Sequence, residues 1–342
     1  MAAGGDDGDI MGAMPTRRAG TIVYKRDLSS ILTIFRVVPE VGYAFPPSVA
    51  GQYIALGRDD APLTKRDGEW PDGRPRYVED TDDTGAVRTG RVVRPYTIAS
   101  APWEQEAYGY LEFYVVLELS RGGLSGRLSS VLLRMDTDND RQLTYVERIV
   151  GTFTLAERAG GYDHVVMVGS GTGLAPFISM VKQLHNDAVT GRRDDRRFTL
   201  IHANRTHEEL AYHAELLEIE RAHALDFVYL PTVSRPTDRD RAAGLVGVGR
   251  GNNVLRSVLG LPAAEEAALA AARAAGSGID QAEHALERSV RPRLPRHLTL
   301  ETVRSRMPPG RTMLLTCGNA RAMADIEVAA REAGLDTDKE EW

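Results

Sequence analysis

The sequence predicts two domains in series, an N-terminal antiparallel Greek-key β-barrel followed by a C-terminal parallel-sheet α/β domain. Three observations carry this expectation. The chain has 342 residues and 42% apolar content, which is enough for two separate cores. Up to about residue 153, short segments rich in β-branched and aromatic residues succeed one another without helical stretches, as in an all-β unit. From about residue 163, strand-like and helix-like segments alternate, the rhythm of a parallel sheet with crossover helices.

Residues 1–19 are small and polar without periodicity and predict a flexible tail. Residues 20–156 form the predicted barrel domain, with strands at TIVYK, ILTIFRVV, GQYIALG, RPYTIAS, YLEFYVVLEL and IVGTFTL. Inside it, residues 58–91 are polar, glycine-containing and acidic, which predicts an inserted surface excursion such as a hairpin. Residues 157–342 form the predicted α/β domain. There HVVMVGS leads into FISMVKQLHND, RFTLIHANR into ELAYHAELLEIERA, DFVYLPTVSR into NNVLRSVLG, and TMLLTCGN into ARAMADIEVAAREAG. Residues 263–291 are alanine-rich with a Gly-Ser-Gly break, predicting a helical pair outside the core sheet.

Several function classes are disfavoured. A net charge of −6 argues against nucleic-acid binding, which needs clustered positive charge. The single cysteine, Cys317, can build neither a disulfide framework nor a thiolate-ligated cluster within the chain. No apolar run is long enough to cross a bilayer and the N-terminus lacks a hydrophobic signal core, so a cytoplasmic protein without a membrane role is expected. MDTDNDRQLTYVE places Asp136, Asp138, Asp140 and Glu147 at ligand positions of a calcium loop. Arg141 stands where that loop needs glycine, and strand-like sequence follows, so an acidic turn is the expected structure.

The chemistry begins at VVMVGSGTGLAPFIS, where a buried strand opens into Gly169, Gly171 and Gly173 and then a helix with Pro176 in its first turn. Such a turn lets backbone approach an anion, with free N–H groups and the helix dipole favouring negative charge. It lacks the G-x-G-x-x-G spacing of the Rossmann fingerprint, and by itself it could be only a tight turn. Three further motifs accompany it in order: RPYTIAS at residues 94–100, GGLSGRL at 122–128 and LLTCGN at 314–319. The ordered set resembles the ferredoxin–NADP reductase superfamily, and most of all the bacterial ferredoxin or flavodoxin reductases, over residues 20–342.

That resemblance implies a flavoenzyme holding FAD and NADP(H). It places Arg94, Tyr96, Thr97 and Ser100 on the flavin strand, and Gly123, Leu124 and Ser125 at a turn for the FAD pyrophosphate; a plain helix cap is the other account of Ser125. It puts Gly171, Thr172, Gly173 and Pro176 along the nicotinamide nucleotide, and Cys317, Gly318 and Asn319 beside the nicotinamide. A C-terminal aromatic covers the flavin in this family, here Trp342, although a terminal tryptophan can also be a frayed end. Tyr96, Thr97, Cys317 and Trp342 are thus the groups expected around the reacting rings. The family's acidic residue near the C-terminus could be Glu340 or Glu341.

An adenosine 2′-phosphate calls for arginine and a bare ribose for a carboxylate. Arg205, Arg235 and Arg250 end or follow successive α/β strands, and by resemblance they favour NADPH. Glu208 and Glu209 stand close by and could reach a ribose or pair with an arginine. A ferredoxin or flavodoxin is the implied electron carrier. The reductase component of an oxygenase and a non-enzymatic nucleotide-binding subunit remain alternatives.

Overall fold

A computed structural model describes residues 16–340. Strand β1 (Arg17–Ser29) begins three residues before the expected domain boundary. Its start is paired with the later strand β8 (Gln142–Val150), Arg17 lying opposite Val146. Arg17 is bonded to Asp59 at 2.6 Å and Arg18 to Glu147 at 2.8 Å. The polar RR pair thus belongs to the sheet and not to a tail.

β2 (Leu32–Pro39), β3 (Tyr53–Pro62), β6 (Thr89–Thr97) and β7 (Leu111–Val116) complete a six-stranded antiparallel sheet with β1 and β8. Its order, β6-β3-β8-β1-β2-β7, curls it into a half-barrel. Ile22, Phe35, Ile54, Leu56, Phe113 and Tyr145, none more than 1% exposed, fill the interior, each such burial being worth about 2 kcal/mol. Between β3 and β6, the polar insertion forms a hairpin of β4 (Thr64–Glu69) and β5 (Pro75–Glu79), as its turn-rich sequence predicts. Helices α1 (Pro102–Tyr108) and α2 (Arg127–Arg134) flank β7 in sequence. In the acidic stretch, Asp136 accepts backbone N–H groups of Asp138, Asn139 and Asp140, and strand β8 follows. It is a turn, as expected.

Helix α3 (Leu155–Ala159) leads into the second domain. β9 (His164–Ser170), a 3-10 turn (Gly171–Leu174), α4 (Ala175–Val189), β10 (Arg197–Asn204), α5 (His213–Ala222), β11 (Asp226–Val233), α6 (Asp238–Ala243), β12 (Gly247–Val248) and α7 (Gly251–Leu259) follow in order. The alanine-rich insertion is a pair of helices, α8 (Ala264–Ala275) and α9 (Ile279–Glu287). The chain then passes through α10 (Leu300–Arg304), β13 (Thr312–Cys317), α11 (Ala320–Glu332) and β14 (Asp336–Glu340). The parallel sheet runs β12-β11-β10-β9-β13-β14. No helix of the described residues is long and apolar enough to cross a membrane.

The two domains share a core and a polar seam. One apolar cluster joins Leu32, Ile34 and Tyr114 of the half-barrel to Phe177, Met180 and Val181 of α4. Beside it, the buried Lys182 ammonium lies 3.1 Å from Glu104, 3.5 Å from Glu215 and 3.7 Å from Glu112. Burial alone would lower its pKa, yet Glu112, Glu215 and Glu104 together hold it above the ordinary lysine value. Glu112 is also held by Arg36 at 2.7 Å and by the Tyr212 hydroxyl at 2.9 Å, so the charge cluster fixes how the domains meet.

Candidate functional site

A cleft of about 1230 Å³ opens between the domains at the carboxyl ends of the parallel strands. This follows from topology. The chain lays β9 through β12 outward on one side and returns to place β13 on the other side of β9, so the helices that follow β9 and β13 pack in different apolar clusters, α4 in one and α11 in the other, and a crevice opens above the strand ends.

The floor of the cleft explains the glycines. A Cβ on Gly173 would meet the Cys317 carbonyl oxygen at 2.1 Å, and one on Gly318, whose φ is +138°, would meet the Ser170 carbonyl at 2.7 Å. Both glycines are therefore required by contact between the two loops. Gly171 differs: its φ is +58° and nothing lies within 4 Å of where its Cβ would stand. Of the turn's glycines, it is the one that leaves bare backbone open. Asn319 caps α11, its side-chain oxygen accepting the N–H groups of Arg321 at 3.1 Å and Ala322 at 3.3 Å.

The opposite wall is the edge strand β6. Arg94, Tyr96 and Thr97 line the cleft there, paired with Leu56, Ile54 and Tyr53 of β3. Arg94 and Tyr96 alternate onto one face. Burial raises the Tyr96 pKa well above the ordinary tyrosine value, Glu118 adding to the rise and Arg94 opposing it, so the phenol stays a neutral donor. Arg94 makes no ion pair among the described residues and bonds only the Val93 carbonyl. Partial burial and the like charge of Arg94 lower the pKa of Arg127, in the first turn of α2. Arg127 is not itself among the cleft walls, but neither guanidinium has a carboxylate partner among the described residues, which leaves both available to an anion. Arg127 was missed in the sequence although it lies within GGLSGRL; only folding brings it near Arg94.

Eleven expected residues line this one cleft: Arg94, Tyr96, Thr97, Gly171, Thr172, Gly173, Arg205, Arg250, Cys317, Gly318 and Asn319. Others do not. Ser100 is buried, its hydroxyl accepting the Glu112 N–H at 3.0 Å and its carbonyl accepting from Ser179 at 2.8 Å. Gly123, Leu124 and Ser125 are not among the cleft walls. The Gly123 and Leu124 N–H groups are already used within their own turn, by the Ser120 carbonyl and hydroxyl. Nor does Ser125 cap α2, whose N-cap is Gly126. Pro176 is buried in the first turn of α4, behind the wall. Arg235 is exposed and not among the cleft walls, its N–H bonded to the Arg205 carbonyl at 2.7 Å. Trp342 and Glu341 lie outside the described residues.

On the side lined by α7 and α8, the expected arginines are matched by carboxylates. Arg205 pairs through two bonds with Glu209, which is 5% exposed. Glu208 is exposed instead. Arg250 meets Glu265 of the inserted helix α8 at 3.1 Å. Thus the insertion, which carries no motif, supplies part of the wall through Ala264, Glu265, Ala268 and Ala285. Beyond β13, the sheet register sets Glu340 opposite Cys317. Burial pushes its carboxyl up to about 7, against the pull of Arg158 and with the help of Asp338.

Comparison with known proteins agrees with this architecture. The family model of the oxidoreductase NAD-binding domain matches residues 167–248. The chain is 35% identical over 74 residues to NADH-cytochrome b5 reductase 2 of Homo sapiens, covering 22% of this chain and 25% of that protein. It is 29% identical over 180 residues to the ferredoxin–NADP reductase of Azotobacter vinelandii, covering 50% of this chain and 62% of that one. The matches therefore span less than two thirds of those relatives. The crystal structure of a ferredoxin NADP+ reductase from Neisseria gonorrhoeae with bound FAD and NADP superposes with a TM-score of 0.55 at 19% identity, covering 94% of this chain and 98% of that one. With a half-barrel followed by a parallel-sheet domain, the chain has the two-domain fold of that reductase, and residues 167–248 match the oxidoreductase NAD-binding domain family.

Proposed function

We propose that the protein is a flavin-dependent reductase that takes reducing equivalents from NADPH through FAD to a small electron carrier of the ferredoxin or flavodoxin type. The observation that carries the reading is that Arg94, Tyr96 and Thr97 of one domain face Thr172, Cys317 and Gly318 of the other across a single cleft. Two features fit dinucleotides: the uncompensated Arg94 and Arg127, and the open backbone at Gly171. When bound, the nicotinamide supplies a hydride that the flavin accepts and passes on as single electrons.

The chain's own part is positioning. Arg94 and Arg127 neutralise the flavin nucleotide's diphosphate. Tyr96 offers a flat face and a neutral hydroxyl, and Thr97 offers a hydroxyl to the ring. The backbone at Gly171 and Thr172 receives the second dinucleotide, with Cys317 a small side chain at the meeting point. Arg235 has no carboxylate partner among the described residues and would be available to the 2′-phosphate, while Arg205 and Arg250 share theirs with Glu209 and Glu265. Glu340, beside Cys317, holds or releases a proton near neutral pH.

Reconstitution with FAD, followed by anaerobic stopped-flow mixing with NADPH and with NADH, tests this. Rapid bleaching of the flavin and its reoxidation by ferredoxin or flavodoxin are expected. Reoxidation only by an oxygenase partner would assign the protein to that system, and a preparation that cannot be loaded with FAD would overturn the reading.

A further inference from the structure

The inserted helix α8 is built into the cleft at one point. Asn253 of α7 ties it down from both sides, donating to Glu265 Oε2 at 2.7 Å and accepting the Ala264 N–H at 2.9 Å. The remaining oxygen, Glu265 Oε1, accepts from Arg250 at 3.1 Å. The Glu265 side chain is only 11% exposed, whereas that of Arg250 is 66% exposed. The carboxylate is therefore the fixed member of the pair, and the guanidinium is the one that reaches into solvent.

We infer that Glu265 is a specificity-determining residue that weakens selection of the 2′-phosphorylated dinucleotide, by competing with the 2′-phosphate for Arg250. The inference rests on the proposal that this cleft binds a nicotinamide dinucleotide. A phosphate arriving at Arg250 must either displace an anchored carboxylate, losing a charge-assisted bond, or lie against a like charge at contact distance. Unphosphorylated ribose hydroxyls meet no such opposition and can donate to the carboxylate. Glu209 on Arg205 repeats the arrangement at the end of β10, so two of the three arginines that favour NADPH carry an internal competitor. The consequence is a reductase whose preference for NADPH over NADH is small, and is set by a helix that sequence comparison alone would pass over as an insertion.

Isothermal titration with adenosine 2′,5′-bisphosphate and adenosine 5′-monophosphate separates the phosphate contribution from flavin chemistry. In Glu265→Gln the bisphosphate is expected to bind about tenfold tighter, with the monophosphate changed by less than about twofold, one charge-assisted competitor having been neutralised. In Arg250→Met, which retains the carboxylate, the bisphosphate is expected to weaken by about tenfold or more while the monophosphate holds; this second variant decides the matter if Glu265→Gln does not fold. An unchanged ratio between the two probes in either variant overturns the inference and leaves the dinucleotide reading standing. Failure of both probes to bind even the unaltered protein overturns the two together.

Discussion

A Cβ on Gly173 would stand 2.1 Å from the carbonyl oxygen of Cys317, so the two loops that floor the cleft touch through backbone alone. The obstacle is main chain on both sides, which has no rotamer with which to yield. Gly173→Ala should cost about 3 kcal/mol, as overpacking does when neighbours cannot move. Gly171→Ala, in open space at a left-handed φ, should cost about 1 kcal/mol. Urea denaturation of the two variants checks the difference, and equal losses would mean that the loop contact is not what requires glycine at 173.

The Lys182 cluster makes a second prediction, about the seam. Lys182→Met leaves three carboxylates of both domains facing one another without their shared cation, and should destabilise the protein by about 4 kcal/mol. Adding Glu104→Gln, which retains the capping geometry at Ala101, should restore part of that loss. A double variant no more stable than the single one would show that charge is not the cause.

Arg127 provides a third. Its guanidinium is expected to share the flavin diphosphate with Arg94, so Arg127→Ala should weaken FAD binding about tenfold. The pair repels itself without the ligand, and the FAD-free variant should therefore be no less stable than the parent. Fluorescence titration of FAD, with thermal melts of the FAD-free proteins, checks both halves.

Glu340 gives a pH dependence with a definite sign. Its carboxyl titrates at about 7 in the folded protein against 4.5 for the unperturbed group, so the folded state binds the extra proton between those values. Stability contributed by this residue is therefore present at low pH and lost as pH rises from 4.5 through about 7. Glu340→Gln should remove that slope. Its melting temperature, compared with the parent's across this range, should gain on the parent as pH increases; parallel curves would show that the residue titrates normally.

The β-then-α/β order, the inserted hairpin and the helical pair were all legible in the chain, because hydrophobic period and turn residues are local signals. Cleft residues on motif strands and loops were legible too, from Arg94 to Asn319. What the motifs did not show was which partners these groups take within the fold. The Ser100 hydroxyl accepts the Glu112 N–H, and the Gly123 and Leu124 amides donate to Ser120. Those partners are fixed by packing and by turn geometry, which the motif does not record. Arg205 and Arg250 read as phosphate ligands, yet Glu209 and Glu265 reach them first.

By itself the sequence determined which segments become strands and helices, and that glycine-rich turns end β9 and β13, since both depend on residues a few positions apart. Only the tertiary structure decided what those turns are for and what charge the cleft presents. Gly173 needs Cys317, Arg94 acquires Arg127, and Arg250 acquires a carboxylate from a helix inserted after α7. Steric and Coulomb forces act through space at a few ångströms, and distance along the chain does not report them.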